Sequence, residues 1–391
     1  MLVAGALGSN IVFSGFTEHL VRLLRFGRQI ETHVPAPTTG PAHVRQSTIH
    51  VILLDGTLGT LDPGHETNIG RMYRLLRAAP HTARLSLYYE AGVQWHAWRD
   101  TPNVAMGRGI NRQIRRTYGW LSSRYRPGDK IFLLGYSRGA YAVRSLAGII
   151  DQVGLLRADQ STERNVQLAY RYYQSAETSH AELAFKQQFC HAAIEIEMIG
   201  VFDTVKALGI RLPFLWMWTE PQHEFHSHEL SPIVKRGFHA LAIDETRAAF
   251  NPVLWDTRAG DWVGRVEQVW FRGSHSDIGG QLSGLEEARP LSNIPLSWML
   301  EQAAGAGLPL PTYWRRDCPT DPNAPSVGTT RGWGKAFVLR ARRRVGADPS
   351  ERIHASAQHT RRARFWIKRD PRLSGKSTPI NEQLLTVTES A

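Results

Sequence analysis

A serine between two glycines is the residue of this chain whose surroundings point most directly to chemistry. The sequence over 135–139 reads Gly-Tyr-Ser-Arg-Gly and follows the apolar run 131–134. An apolar strand that ends in G-x-S-x-G and leads into a helix is typical of the nucleophile elbow of α/β-hydrolases. Gly135 and Gly139 fit such a turn because it is too sharp for side chains beside the serine. The pattern predicts that Ser137 is a catalytic nucleophile.

A serine hydroxyl reacts readily only when a neighbouring base removes its proton. His275 is the predicted base because it follows the last predicted strand of the catalytic region, in a turn flanked by glycine. Asp203 ends another predicted strand and could orient the imidazole and stabilise its cation. Asp277 is the alternative acid, although two residues from the histidine it is better placed to brace the turn. Serine, aspartate, histidine is also the chain order of the α/β-hydrolase triad.

Acyl transfer also needs N–H donors where the oxyanion develops, and losing one donor costs roughly 3–4 kcal/mol. The backbone N–H of Arg138, directly after the serine, is the first predicted donor. The second is expected from the loop after the first strand of the hydrolase region, through Gly56 or Thr57. Asp55 is interpreted as a supporting residue that holds this loop in shape by hydrogen bonding, the alternative being a polar strand end with no role.

These residues require a sheet whose strand ends meet at one edge. Apolar segments alternate with helical patterns, which predicts an α/β fold of the hydrolase type, a mostly parallel sheet with helices on both faces. The strands are predicted at about 48–54, 84–89, 130–135, 195–202 and 266–272. The helices are predicted at about 67–78, 107–124, 138–150, 163–189, 231–250 and 293–306. In such sheets the working groups collect beyond the C-terminal ends of the strands.

Composition is that of an ordinary globular protein, with 391 residues, 42% hydrophobic and 21% charged. No run reaches the roughly 18 apolar residues of a membrane span. The N-terminal residues are apolar but lack preceding basic residues and a clear cleavage site, so no signal peptide is predicted. Cys190 and Cys318 form neither a metal pattern nor a disulfide framework. We expect a cytoplasmic protein or one delivered without a classical signal peptide, and peripheral association with membranes stays open.

The net charge of +12 is concentrated near the C-terminus. Residues 331–372 hold thirteen Lys or Arg against three acidic residues, a net +10. This block, which includes Arg342, Arg343 and Arg344, is either a solvated basic face or a surface for anionic lipid. Nucleic acid is not the expected partner, because no nucleic-acid module accompanies the charge. An amphipathic helix predicted over 16–30 carries a second basic stripe that could lie on a membrane.

Three regions are predicted. Residues 1–46 hold the amphipathic helix and a Pro-rich linker over 34–41, residues 47–330 the catalytic domain, and residues 331–391 a basic extension. Within the catalytic region, the apolar segment 212–218 could roof the active site. The nearby His223, His226 and His228 are interpreted as polar residues of that roof rather than metal ligands. No metal and no organic cofactor is expected.

Short motifs recur in order between about residues 48 and 310. They are Leu54-Asp55-Gly56-Thr57, Thr67-Asn68, Pro127-Gly128-Asp129, the serine turn 135–140, Phe202-Asp203-Thr204-Val205, Asp244-Glu245-Thr246-Arg247 and the stretch 270–280. Together they resemble the catalytic domain of type VI secretion phospholipase effectors, a domain also widespread in uncharacterised bacterial and fungal hydrolases. The resemblance implies a Ser-Asp-His triad with Ser137 as nucleophile and His275 as base, and hydrolysis of phospholipid acyl esters in the effector branch.

The sequence thus predicts a serine hydrolase acting on carboxylic esters, with lipid or phospholipid acyl esters first, through an acyl-enzyme. Two alternatives stay open. One is a thioesterase or peptidase that uses the same triad. The other is a non-catalytic module that holds an anionic partner on a hydrolase shell.

Overall fold

The structure of the protein is a computed structural model. It describes residues 30–34, 45–80, 83–92, 108–175, 177–205, 229–259, 264–331, 337 and 339–375. The predicted roof 212–218, the three histidines that follow it and the predicted helix 16–30, apart from Ile30, lie outside these residues. No helix in the described ranges is long and apolar enough to span a bilayer.

One sheet organises the described chain. Its strands are β1 (Ile30–His33), β2 (Ile49–Leu54), β3 (Leu85–Glu90), β4 (Lys130–Tyr136), β5 (Met198–Phe202), β6 (Gly237–Ala242), β7 (Val266–Phe271) and β8 (Glu351–Ile353). Their order across the sheet is β1-β3-β2-β4-β5-β6-β7-β8. β1 is antiparallel to β3, and every other neighbouring pair is parallel. The predicted α/β-hydrolase-like fold with a mostly parallel sheet is confirmed.

Helices cover both faces of this sheet. They are α1 (Asn68–Arg77), α2 (Arg108–Ser122), α3 (Arg138–Gln152), α4 (Glu163–Tyr173), α5 (His180–Phe189), α6 (His275–Gly279), α7 (Arg289–Gly305) and α8 (Arg361–Arg369). Successive strand residues point to opposite faces. Ile52 and Leu54 of β2 therefore join the core beneath α2 and α3, whereas Val51 and Leu53 join the core beneath α1 and α7. Two-sided burial explains why the central strands are continuously apolar.

The predicted helix over 231–250 is wrong. Its centre is β6, which lies between β5 and β7 and is buried along its whole length. A short apolar run buried on both faces has no alternation to distinguish a strand from a helix. The region 163–189, predicted as one helix, forms the two helices α4 and α5. The side chain of Ser179 caps the N-terminus of α5.

Both edges of the sheet lie beyond the range 47–330 that the sequence predicts for the catalytic domain. β1 comes from the N-terminal region, and β8 comes from the basic C-terminal region. A third apolar cluster, which includes Trp270 of β7, Ile353 of β8 and Ala363 of α8, packs the C-terminal region onto the sheet. The described basic region is therefore part of the folded body that carries the site.

Candidate active site

Ser137 lies on a sharp turn between β4 and α3. Its backbone has a φ of 56°, which is rare for a residue with a side chain. A Cβ on Gly139 would lie 2.1 Å from the carbonyl oxygen of Leu54, and one on Gly135 would lie 2.6 Å from the carbonyl oxygen of Gly139. The two glycines thus let α3 start directly against β2 and β4, and they hold the serine at the C-terminal edge of the sheet.

His275 begins α6, just after β7. Its Nε2 lies 2.9 Å from the Oγ of Ser137, and its Nδ1 lies 2.5 Å from Oδ2 of Asp203. The three side chains come from positions up to 138 residues apart and are all buried. An imidazole between a hydroxyl and a carboxylate can take a proton at Nε2 while its Nδ1–H stays bonded to the acid.

Asp203 follows β5 and, like Ser137, has a positive φ, of 44°. Its Oδ1 also accepts the backbone N–H of Ala242, at 3.0 Å. Of the two aspartates predicted as alternatives, this is the one in contact with the histidine. The structure thus brings Ser137, His275 and Asp203 together.

Asp277 has a different set of partners. Its carboxylate accepts the backbone N–H and the hydroxyl of Ser274, both at 2.7 Å, which forms the N-terminal cap of α6. It also accepts the Ser326 hydroxyl at 2.6 Å and the Val327 N–H at 2.8 Å. Asp277 therefore braces the turn that carries His275, as its position in the sequence suggested.

Arg343 is one of the residues at this site that the sequence did not reveal. Its guanidinium donates from one nitrogen to Oδ1 of Asp203 at 2.5 Å and from the other to Oδ2 at 2.8 Å. It also donates to the carbonyl oxygens of Ala242 and Phe250. The side chain is 3% exposed. An arginine expected in a solvated basic segment is therefore the buried counter-ion of Asp203.

The charge balance at Asp203 favours the carboxylate. Burial alone would raise the pKa of the Asp203 carboxyl. The positive charge and N–H groups of Arg343, together with the bond to His275, outweigh burial and hold this pKa well below its usual range. The acid is therefore ionised across the physiological pH range.

Neighbours of His275 fix its backbone and its ring. Glu245 accepts the backbone N–H of His275 at 3.1 Å and forms a buried ion pair with Arg247. The Tyr136 hydroxyl donates to the His275 carbonyl oxygen at 3.2 Å. The ring of Phe250 lies 4.7 Å from the imidazole, centroid to centroid. Glu245 and Arg247 belong to the motif 244–247, for which the sequence suggested no role.

The loop after β2 is built around the buried carboxylate of Asp55. This carboxylate accepts the Thr67 hydroxyl and the Tyr89 hydroxyl, at 2.8 Å each, and the backbone N–H of Gly56 at 2.7 Å. Burial raises the pKa of Asp55 to about 6, against the opposing effect of these hydrogen bonds. The N–H of Gly56, one of the two oxyanion donors predicted in this loop, is thus already bonded to Asp55.

Thr57 is tied to the two turns that carry the serine and the histidine. The guanidinium of Arg138 donates from Nε to the Thr57 hydroxyl at 2.6 Å. Gln281, just beyond α6, donates to the Thr57 carbonyl oxygen at 2.9 Å. The backbone N–H of Arg138 is in the first turn of α3, where helix N–H groups lack helix partners. Arg138 and Thr57 thus sit on adjoining, cross-linked loops.

Two further motif residues have structural partners. Asn68 donates to the carbonyl oxygens of Ile278 and Ser292, which joins α1 to α6 and α7. The carboxylate of Asp129 accepts hydrogen bonds from the side chains of Arg45 and His50, at the opposite end of the sheet. Among the described residues, no cluster of His, Cys, Asp or Glu is arranged to hold a metal ion.

A family model matches residues 49–302, the range that contains the serine, the aspartate and the histidine. Its description is "T6SS, Phospholipase effector Tle1-like, catalytic domain". The chain belongs to this family. This membership confirms the resemblance drawn from the motifs.

Individual relatives are distant. An uncharacterized protein of Saccharomyces cerevisiae is 27% identical over 231 residues, which cover 52% of this chain and 32% of that protein. The chain thus spans about a third of this relative's length. A structure of the Tle1 effector bound to the VgrG spike of the type VI secretion system is 18% identical, with 65% of this chain and 57% of that chain covered and a TM-score of 0.35. The structure of esterase 2 of Thermogutta terrifontis is 14% identical, with 73% of this chain and 92% of that chain covered and a TM-score of 0.37.

Proposed function

We propose that the protein is a serine hydrolase that cleaves carboxylic esters through an acyl-enzyme, with phospholipid acyl esters as its substrate class. One observation carries the proposal: the Oγ of Ser137 lies 2.9 Å from Nε2 of His275, whose Nδ1 lies 2.5 Å from Asp203. A hydroxyl, an imidazole and a carboxylate in this sequence of contacts form a proton relay that activates serine.

In the first half of the reaction, Ser137 attacks the ester carbonyl carbon while Nε2 of His275 takes the hydroxyl proton. The negative charge that develops on the carbonyl oxygen is stabilised by the backbone N–H groups of Arg138 and Thr57. The Asp203 carboxylate stabilises the imidazolium through Nδ1–H. His275 then gives its proton to the leaving alcohol oxygen as the carbon–oxygen ester bond breaks, and the acyl group stays on Ser137.

In the second half, water takes the place of the alcohol. His275 removes a proton from the water as its oxygen attacks the acyl carbon, and the same N–H groups stabilise the second tetrahedral intermediate. The proton returns to Ser137 Oγ as the acyl–serine bond breaks. The products are a free carboxylic acid and the original enzyme, so the cycle uses only water.

Arg343 is a positioning residue in this scheme. It does not contact Ser137 or His275 in any hydrogen bond of the described chain, and acts through Asp203. Its two N–H groups fix the plane of the carboxylate, so that Oδ2 faces the imidazole. Its charge also keeps Asp203 ionised, which is the form that can stabilise the imidazolium.

Phospholipid is the preferred substrate class because the description of the matching family names a phospholipase effector. The test is a substrate panel: phosphatidylglycerol and phosphatidylcholine in mixed micelles, a soluble short-chain ester, an acyl thioester and a peptide. Wild-type protein should release fatty acid from the phospholipids, and Ser137→Ala should lower kcat about 10⁶-fold. Hydrolysis of the thioester or peptide alone would overturn the ester assignment.

A matched control separates loss of the nucleophile from loss of the fold. Ser145 is another buried serine of α3, and its hydroxyl donates to the carbonyl oxygen of Tyr141, one turn earlier. Ser145→Ala should keep kcat within a few fold of wild type. Equal losses in Ser137→Ala and Ser145→Ala would mean that the helix, rather than the hydroxyl of Ser137, was being measured.

A further inference from the structure

A surface cavity of about 400 Å³ lies between residues 342–343 and α8. Four arginines and two aromatic rings line it: Arg342, Arg343, Arg361, Arg362, Phe365 and Trp366. Such a concentration of guanidinium groups favours a ligand with several acceptor oxygens, because each guanidinium presents N–H donors in a planar fork that matches phosphate.

Part of this positive charge is not compensated by acidic groups of the described residues. Arg343 is paired with Asp203, and Nη1 of Arg362 lies 3.5 Å from Oδ1 of Asp244. Arg342 and Arg361 are exposed and have no acidic partner within the described part of the chain. The Nε of Arg343 is buried and, in the same part, lacks an acceptor. The cavity therefore offers free donors as well as net charge.

The helix beside the cavity combines cations with exposed apolar rings. α8 reads RRARFWIKR and packs on the body through the buried Ala363. Phe365 is 53% exposed, with the guanidinium of Arg369 5.5 Å from its ring centre. A short helix with basic residues around an outward aromatic ring suits the boundary between lipid headgroups and acyl chains. A free phosphate ion would leave that ring in water.

We propose that α8 and the arginine cavity form a docking surface for an anionic phospholipid bilayer, with a headgroup phosphate in the cavity and Phe365 at the acyl-chain boundary. The positive charge of this surface complements the negative potential of anionic membranes. Docking does not depend on ester hydrolysis; it would serve the proposed function by bringing the enzyme to a lipid substrate.

The docking surface differs from the one that the sequence suggested. A substitution of Arg342, Arg343 and Arg344 together would disrupt the buried pair with Asp203, so it cannot report on membrane binding alone. Arg342 and Arg361 are the suitable pair, since both are exposed and both line the cavity. Arg315 and Arg316 provide a matched control, because they are 69% and 80% exposed and lie elsewhere on the surface.

The test is co-sedimentation of full-length Ser137→Ala protein with vesicles, so that binding is measured without hydrolysis. Vesicles of phosphatidylcholine with about one third phosphatidylglycerol should bind it, and binding should weaken between low and physiological salt. Adding R342Q and R361Q should weaken binding about tenfold or more, whereas adding R315Q and R316Q should change it less than threefold. F365A should weaken binding without altering its salt dependence.

Four results would overturn the proposal. Equal binding to pure phosphatidylcholine vesicles would show that charge plays no part in docking. Equal losses of binding in the two double variants would show that the arginine cavity is not the docking site. Displacement from vesicles by millimolar inorganic phosphate at constant ionic strength, or binding of an RNA oligomer in place of vesicles, would assign the cavity to another ligand. Thermal melting of each variant shows that it is folded; R361Q alone, with a smaller loss, replaces the double variant if that variant melts early.

Discussion

Arg343 contacts both carboxylate oxygens of Asp203, at 2.5 and 2.8 Å, and Oδ2 of the same carboxylate lies 2.5 Å from His275. The arginine lies 140 residues beyond the aspartate in the chain. The C-terminal region is therefore joined to the candidate active site by a buried ion pair. A truncated protein that ends before this region would leave Asp203 buried without its counter-ion.

Removing the charge of Arg343 is expected to change the pH dependence of hydrolysis. In Arg343→Gln the pKa of the Asp203 carboxyl rises, because the guanidinium that opposes the effect of burial is gone. The acid limb of kcat/KM should therefore move to higher pH by about one unit. The free energy of unfolding should also fall by about 3 kcal/mol, since a buried carboxylate loses its partner.

Arg343→Lys is the control for this prediction. It keeps the charge but loses the planar pair of donors, so the acid limb should stay near its wild-type position while kcat falls. Profiles are measured well below the melting temperature of each variant. A wild-type pH profile for Arg343→Gln would show that the arginine only stabilises the fold.

The two aspartates near His275 should respond differently to the same isosteric change. Asp203→Asn removes the carboxylate that stabilises the imidazolium and should lower kcat about 10⁴-fold. Asp277→Asn keeps the shape of the residue that caps α6 and should act mainly on stability, by about 1–3 kcal/mol. Steady-state kinetics and urea unfolding of both variants separate the effects. A larger loss of kcat in Asp277→Asn would make it the catalytic acid.

Asp55 should make folding less favourable as the pH rises from about 4 to 6. Its pKa in the folded protein is about 6, above the ordinary value of 3.8. The folded state therefore holds the proton more tightly, and the stability that this group contributes is complete below pH 4 and lost as the pH rises through 6. Asp55→Asn should remove this trend.

The measurement is the difference in unfolding free energy between wild type and Asp55→Asn at a series of pH values. Wild type should lose stability relative to the variant by at most about 3 kcal/mol between pH 4 and 7. A difference that is constant with pH, or that changes in the opposite direction, would contradict the assignment. Hydrolysis by the variant also reports whether the carboxylate is needed to shape the loop that holds Thr57.

Two helical glycines should respond in opposite ways to alanine. In Gly139→Ala the new Cβ would lie 2.1 Å from the Leu54 carbonyl oxygen, so α3 must shift, at a cost of about 3 kcal/mol or more and most of the activity. In Gly119→Ala, within α2, the nearest atom is 3.4 Å away. That variant should be neutral or up to about 1 kcal/mol more stable. Thermal unfolding compares the stabilities of the two variants. If Gly139→Ala is as stable as wild type, the serine turn has room for a Cβ at this position, contrary to the prediction.

The features that could be predicted from the sequence were those encoded locally. The serine turn could be recognised because its glycines and the flanking strand and helix lie within about twenty residues. Strands β2, β3, β4, β5 and β7 could be recognised as apolar runs between turns. β6 could not, because two-sided burial removes the alternation that marks a strand.

The partners of charged groups could not be predicted in the same way. Arg342, Arg343 and Arg344 are identical in type and adjacent, yet only Arg343 is buried. What distinguishes it is a carboxylate 140 residues away, which no local pattern reveals. The choice between Asp203 and Asp277 also depended on how β5 and β7 meet in the sheet. For the same reason, Glu245 was visible only as part of a motif without a role.

The central claim is that Ser137 is a nucleophile activated by His275, and labelling with a fluorophosphonate probe tests it most directly. The probe forms a covalent bond with an activated serine, and mass spectrometry of the digested protein locates the modified residue. Wild-type protein should be labelled on Ser137, His275→Ala should be labelled far more slowly, and Ser137→Ala should not be labelled. Folded wild-type protein that stays unlabelled, or that is labelled at another serine, would contradict this account.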